Sequence, residues 1–281
     1  MLRQPRYLES VTATSGIRLT KHHGLGNDFL VALVPQPEDV PIDADLARHV
    51  CDRRRGIGAD GLLYGIATDG SEAEVPDLQM VLLNSDGSRA EISGNGLRCL
   101  GQAVLRSRGV RKGELSVATD AGIRDLVGEP TDDPATDLLT ASMGVVAPGP
   151  AVPSLPLDVL DAVGLDVGNP HLVLRVGSLA GIHPAELGPV IEAQVPGGVN
   201  VHFLVAEAPD AIRLLHWERG AGVTEACGSG ATASAFAARR WGLVGDEVTV
   251  RMPGGDVVVL LEGDTAALRG TATFVGEVTL A

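Results

Sequence analysis

The chain carries one local pattern twice, and that duplication limits its fold more than any other feature. Residues 93–96 read SGNG and residues 227–230 read CGSG. Each follows a glutamate by two residues, and each opens an apolar helical pattern. Two more anchors recur in the same order. GNDFLVAL at 26–33 resembles GNPHLVLR at 168–175, and GADGLL at 58–63 is a weaker match to GVNVHFL at 198–204. Asn27 thus pairs with Asn169, Asp60 with Asn200 and Ser93 with Cys227, at separations of 142, 140 and 134 residues. Nine residues before the last pair stand Asn84 and Glu218, each just after a strand-like run. Three ordered pairs with slowly shrinking offsets predict two related halves.

The elements inside each half follow from periodicity. After SGNG, Leu97, Leu100, Val104 and Leu105 recur at helical spacing, and the Ala-rich ATASAFAARR follows CGSG. VLLN, LSVAT, IRLLHW, VTVRM and VVVLL read as strands. In TATFVGEVTL, Ala272, Phe274, Val278 and Leu280 share one parity, the pattern of a half-buried strand. With 36 Gly, 17 Pro and only 3% aromatics, many turns and short elements are expected. The class is mixed α/β (α+β), each half a strand-rich unit holding one central helix. Pro/Asp/Gly-rich GEPTDDPATD and APGPAVPSLP place a boundary near 130–140. The expected division is an N-terminal half at 1–136 and a C-terminal half at 137–267, with the last strand, 268–281, returning to the first half. Residues 1–16 have no apolar core segment and read as a leader, not a signal peptide.

A net charge of −14 argues against a phosphate-backbone binder, so no nucleic-acid partner is expected. No apolar run reaches the roughly 18–20 residues of a membrane span, so no membrane association is expected. Three cysteines do not make a disulfide framework, and a reducing cytoplasm is the simplest setting. GIGADG at 56–61 fits the dinucleotide fingerprint G-x-G-x-x-G, but a helical pattern (40–54) precedes it and strand-like LLYGIA follows. That order is the reverse of the fingerprint's, so it reads as a turn between helix and strand. There is no H-E-x-x-H or Walker-type spacing, and no metal site is assigned. Cys51 reads as a buried helix residue. Cys99 lies six residues beyond Ser93, roughly 9 Å of rise and 240° of rotation along a helix, so it cannot replace Ser93 and is given a packing role.

Gly-x-Gly after a small polar residue at a helix start lets backbone approach a ligand, and the free N–H groups and dipole favour an anion. A cysteine there is expected to have its thiolate stabilised and its pKa lowered. Two such turns aimed at one ligand suit inversion of a carbon α to a carboxylate. One side chain removes the proton from one face and the other delivers a proton to the opposite face, while helix N-termini hold the growing charge. That chemistry needs no cofactor.

KHHGLGNDFLV, RRGIGADGLL, NSDGSRAEISGNGLRC, VGNPHLV, GVNVHFL and ERGAGVTEACGSGA resemble the successive signature blocks of the diaminopimelate epimerases, from about residue 17 to the end. The resemblance implies two pseudo-symmetric halves, each a barrel-like sheet wrapped around a helix. It implies cofactor-independent, two-base interconversion of LL- and meso-2,6-diaminopimelate on the route to lysine and peptidoglycan, by a cytoplasmic homodimer. By the same resemblance Cys227 is one catalytic cysteine, and Ser93 stands where the family has the other. Gly94, Asn95, Gly228 and Ser229 hold the carboxylate of the reacting centre. Asn27, Asn84, Asn169, Asn200, Glu218 and Arg219 contact substrate, and His171 stands beside the catalytic pair, able to accept or relay a proton. Glu218 suits an ammonium, and the planar fork of Arg219 suits a carboxylate. A hydroxyl is a poor base at neutral pH unless activated. Ser93 therefore leaves two other readings: an isomerase of the same fold with another amino-acid substrate, or a catalytically impaired, binding-only form.

Overall fold

The computed structural model describes residues 16–35, 42–68, 75–90 and 92–280. The leader expected at 1–16 falls outside them except for Gly16, as do the first two residues of the helical pattern at 40–54. The chain forms two compact units, residues 1–141 with 271–281, and residues 142–270.

In the first unit the order is β1 (Arg18–Gly24), β2 (Asn27–Val34), α1 (Ala44–Cys51), β3 (Gly61–Ala67), β4 (Leu78–Asn84), β5 (Arg89–Ala90), α2 (Gly94–Ser107), β6 (Gly113–Thr119), β7 (Gly122–Pro130) and β8 (Thr136–Val145). The second runs β9 (Ala147–Pro148), β10 (Asp161–Asp166), β11 (Pro170–Arg175), α3 (Pro184–Glu192), β12 (Asn200–Ala208), β13 (Ala211–Trp217), α4 (Gly228–Arg240), β14 (Glu247–Met252), β15 (Gly255–Glu262) and β16 (Thr265–Thr279). The pairing repeats strand for strand. β2 lies parallel to β3 and β4 to β6, just as β11 lies parallel to β12 and β13 to β14. Each parallel pair is bridged by a helix, since parallel neighbours need a long crossover. The other ladders are antiparallel.

Burial explains the composition of the strands. β2 (NDFLVALV) is apolar almost throughout because α1 packs over one face of the β2–β4 sheet and α2 over the other. Ala47, Val50 and Cys51 of α1 join Leu30, Ala32, Leu62 and Tyr64 in one cluster. In the second unit Ile191 of α3 packs with Leu172, Leu174 and Phe203. β7 and β8 alternate instead, with one face inward and one in solvent. The central helices are wrapped on all sides: every residue from Gly94 to Leu105 in α2, and from Gly228 to Ala238 in α4, is buried.

The units divide at 141/142, inside β8, where 136/137 was expected. The reason is that β8 keeps its alternation unbroken past that point, while the polar GEPTDDPATD stretch is only the β7–β8 turn and its flanks. The last strand is also longer than the TATFVGEVTL run. β16 starts at Thr265, pairs with β15 as far as Arg269, and from Thr273 onward pairs with β1. Its even-numbered residues turn inward, as the sequence parity requires. The GIGADG segment lies between α1 and β3.

Candidate active site

Ser93 and Cys227 occupy the same structural position in their units: each is the N-cap of the central helix, in extended backbone (φ −138°, ψ 119° and φ −125°, ψ 108°). The glycine motifs do not precede the helices; they are the first turns. Gly94–Asn95–Gly96 and Gly228–Ser229–Gly230 therefore carry the amides that a helix start leaves without intrahelical partners.

In the first unit the Ser93 hydroxyl accepts from the Gly96 amide at 3.0 Å. Asn95 Nδ2 donates to Asn27 Oδ1 at 3.1 Å, and Asn27 Nδ2 donates to Asp60 Oδ2 at 2.8 Å. Arg53 bridges Asp60 and Asp28, and Lys21 joins Asp28 at 2.9 Å. Burial pushes the Asp28 carboxyl up, but Arg53 and Lys21 outweigh it and hold it below its ordinary value. Beneath the helix start, Arg98 is fully buried and donates to Asn95 Oδ1 at 2.6 Å, to Gly94 O at 3.1 Å and to Thr271 O at 3.3 Å. Burial lowers its pKa to about 10. Asn84 pairs with Gly61, the residue after Asp60, and donates to Ser88 Oγ at 2.9 Å.

In the second unit Asn169, His171, Asn200, Glu218, Arg219, Cys227 and Ser229 are joined by a run of direct and neighbouring contacts. Asn200 donates to Pro170 O at 2.9 Å and accepts from the Arg219 amide at 3.0 Å. His171 Nε2 meets Asn169 Oδ1 at 2.7 Å, and its Nδ1 meets His202 Nε2 at 2.9 Å. Both ring nitrogens are thus engaged, and burial with the nearby Arg219 charge holds the His171 pKa down to about 3. Cys227 lies 3.9 Å (Sγ to Oγ) from Ser229. The expected lowering of its thiol pKa is not found. Burial, then the Glu218 carboxylate by its charge and its hydrogen bond to the thiol, drive it well above the ordinary value, against weaker opposing pulls from the Gly230 amide and Ser229 hydroxyl. Cys227 therefore rests as a thiol: burial disfavours the thiolate, and the whole charge of Glu218 outweighs the partial charge of the helix terminus.

Cys51 and Cys99 are buried in α1 and α2, and burial raises each thiol to about 12. Among the described residues, no group of three or more His, Cys, Asp or Glu side chains has the geometry to hold a metal ion, and no helix is long and apolar enough to cross a membrane. Sequence reasoning passed over Thr224, His202 and His216. Thr224 donates to Glu218 and meets His216 Nε2 at 2.9 Å. The available signal was spacing: His202 stands two residues beyond Asn200 on the same face of β12, and His216 two residues before Glu218 at the end of β13.

This architecture is shared with solved structures of one class. A hydroxyproline epimerase from Agrobacterium vitis with bound trans-4-hydroxy-L-proline matches with a TM-score of 0.68 at 17% identity, covering 95% of this chain and 91% of that one. A PhzF-family phenazine biosynthesis protein from Bacillus anthracis matches at 0.69 and 16%, covering 95% and 100%. The fold is that of the proline racemase and PhzF-like proteins. Sequence narrows the class. The diaminopimelate epimerase family model matches residues 19–146 and 163–277. A diaminopimelate epimerase from Rhodococcus opacus is 39% identical over 277 residues, 91% of this chain and 94% of that protein. One from Methanothermobacter thermautotrophicus is 35% identical over 263 residues, 86% and 90%. The chain belongs to the diaminopimelate epimerase family, isomerases that act on amino acids.

Proposed function

We propose that this protein interconverts LL- and meso-2,6-diaminopimelate without a cofactor, using Cys227 on one face of the reacting α-carbon and Ser93 on the other. The observation that carries this reading is the N-cap equivalence: in each unit the position that starts the buried central helix holds a proton-bearing side chain. The amides of Gly94, Asn95, Gly228 and Ser229 would take the substrate carboxylate, whose charge grows as the carbanion forms. Asn27, Asn84, Asn169, Asn200, Glu218 and Arg219 would bind the remaining polar groups. Homodimeric assembly and a cytoplasmic setting belong to the same reading, and sedimentation of the purified protein checks the first.

The electrostatics give the reaction an order. Cys227 rests protonated because of burial and Glu218. A substrate ammonium placed on Glu218 cancels that carboxylate's field, so the Cys227 thiol can give its proton to water and the thiolate can take the α-hydrogen. Ser93, whose oxygen already accepts the Gly96 amide, would supply the proton on the far face. A hydroxyl is the weaker acid, so delivery from Ser93 should limit inversion. The test is incubation with LL-diaminopimelate in D₂O, following α-deuterium uptake and meso product. Appearance of both supports the reading. Tight binding with neither would instead mark a binding-only protein, and turnover of another amino acid alone would move the substrate assignment.

A further inference from the structure

The second unit buries three histidines side by side. The His171 and His202 ring centroids are 5.1 Å apart, and those of His202 and His216 are 6.1 Å apart. All three are at most 2% exposed. Two hydrogen-bond runs leave this stack. One goes from His202 through His171 to Asn169; the other goes from His216 through Thr224 to Glu218 and Cys227.

The direction of each bond can be deduced. A carboxylate has no hydrogen, so the Thr224 hydroxyl donates to Glu218. That hydroxyl has one hydrogen, so it accepts from His216, whose Nε2 must carry the proton. A neutral imidazole has one N–H, leaving His216 Nδ1 bare. On the other run, Asn169 Oδ1 accepts, so His171 Nε2 is protonated and its Nδ1 accepts from His202 Nε2–H. His202 Nδ1 is then bare as well. Two specific atoms are thereby hydrogen-free acceptors, and these same two, His202 Nδ1 and His216 Nδ1, are the buried histidine nitrogens without a partner among the described residues. A buried lone pair left alone is easier to tolerate than a buried N–H. Burial of all three rings, with mutual repulsion at His202, keeps them neutral.

His202 also sets the backbone beside the thiol. A Cβ at Gly230 would stand 2.0 Å from its Cε1 atom, so the imidazole presses directly on the first turn of α4.

We propose that His202 and His216 are positioning residues: each donates one Nε2–H, His202 to His171 and His216 to Thr224, and so holds those two groups aimed at Asn169 and Glu218. His202 holds His171 as a donor to Asn169. His216 keeps the Thr224 hydroxyl turned toward Glu218, which also accepts from the thiol. The catalytic meaning of these positions rests on the diaminopimelate reading; the tautomers do not.

The test combines long-range ¹H–¹⁵N spectra of histidine-labelled full-length protein with exchange kinetics on diaminopimelate. In the wild type, all three rings should appear as Nε2–H tautomers. A protonated Nδ1 in any of them overturns the proposal, whether or not a variant folds. His202→Leu should turn His171 into a tautomer mixture and lower kcat for α-hydrogen exchange by about 10²-fold, with a much smaller change in KM, since slight misplacement of a reacting group carries that scale of loss. His202→Gln, which keeps an N–H, should restore most of both. His216→Leu and His216→Gln should behave as the same pair in kcat. A folded His202→Leu protein with an unchanged His171 tautomer, or a glutamine variant no better than leucine, refutes the role. Nε2–H rings in a protein that exchanges no diaminopimelate hydrogen would refute the substrate instead, leaving the tautomers standing.

Discussion

The two helix caps differ by one atom, and the difference in acidity is large. A positioned acid or base contributes on the order of 10²–10⁴ in rate, and exchanging thiol for hydroxyl forfeits much of it. Ser93→Cys is therefore expected to raise epimerisation toward that scale, and Cys227→Ser to abolish both exchange and inversion; isotope uptake and chiral product analysis of the two variants check this. The fate of Cys227 also depends on its neighbour. Glu218 raises the thiol's pKa, so Glu218→Gln should lower it. The midpoint of a pH-dependent alkylation curve for Cys227 should move down, with Cys51 and Cys99 as slow internal references. An unchanged or raised midpoint would contradict the pairing. At this scale the sequence was only partly legible. Asn27, Asn169, Ser93 and Cys227 stand out because they recur in the repeat. His202 stands opposite Leu62 in the paired anchors and His216 lies outside them, so neither histidine recurs, and the sign of the Cys227 shift depends on which charges fold beside it.

The first turns of α2 and α4 explain why glycine is required unequally. At Gly96 an added Cβ would meet Ser93 Cβ at 3.2 Å and Ser93 Oγ at 3.3 Å, a contact that a small shift relieves. At Gly230 it would meet the buried His202 ring at 2.0 Å. Gly230→Ala should cost about 1–3 kcal/mol as an overpacking substitution, whereas Gly96→Ala should be close to neutral, since alanine gains up to about 1 kcal/mol in helix propensity. In a His202→Ala background the Gly230→Ala penalty should largely vanish. Urea unfolding of the four variants measures this, and an undiminished penalty would place the clash elsewhere. Periodicity located both helices but started them after the glycines, because Gly-x-Gly has poor helix propensity and burial of the whole turn overrides it. The alternating strands, and the parity of β16 above all, were readable because one face is wet. β2 is buried on both faces, so its pattern was a run and not an alternation.

Each unit repeats one order of strands and helices, and the chain passes between the units in β8 and again in β16. The final segment is structural for the first unit: it pairs with β1, and its Thr271 and Ala272 carbonyls accept from Arg98 and Gln102 of α2. Removing residues 271–281 should therefore deprotect β1 and α2 in hydrogen exchange while leaving β11, β12 and α4 protected; uniform loss or no loss would refute this division. The duplication itself was legible because three anchors kept their order. The boundary was displaced because polar composition marks an exposed turn as readily as a domain limit. We propose that Cys227 and Ser93 serve opposite faces of one α-carbon as unequal acids. The most direct measurement follows deuterium at each centre of meso-diaminopimelate in D₂O alongside conversion to the LL isomer. With Cys227 proposed as the base at the D centre, deuterium should enter there faster than inversion proceeds, and Ser93→Cys should close the gap. Exchange and inversion at equal rates in the wild type, unchanged by Ser93→Cys, would contradict it, as would exchange that survives Cys227→Ser.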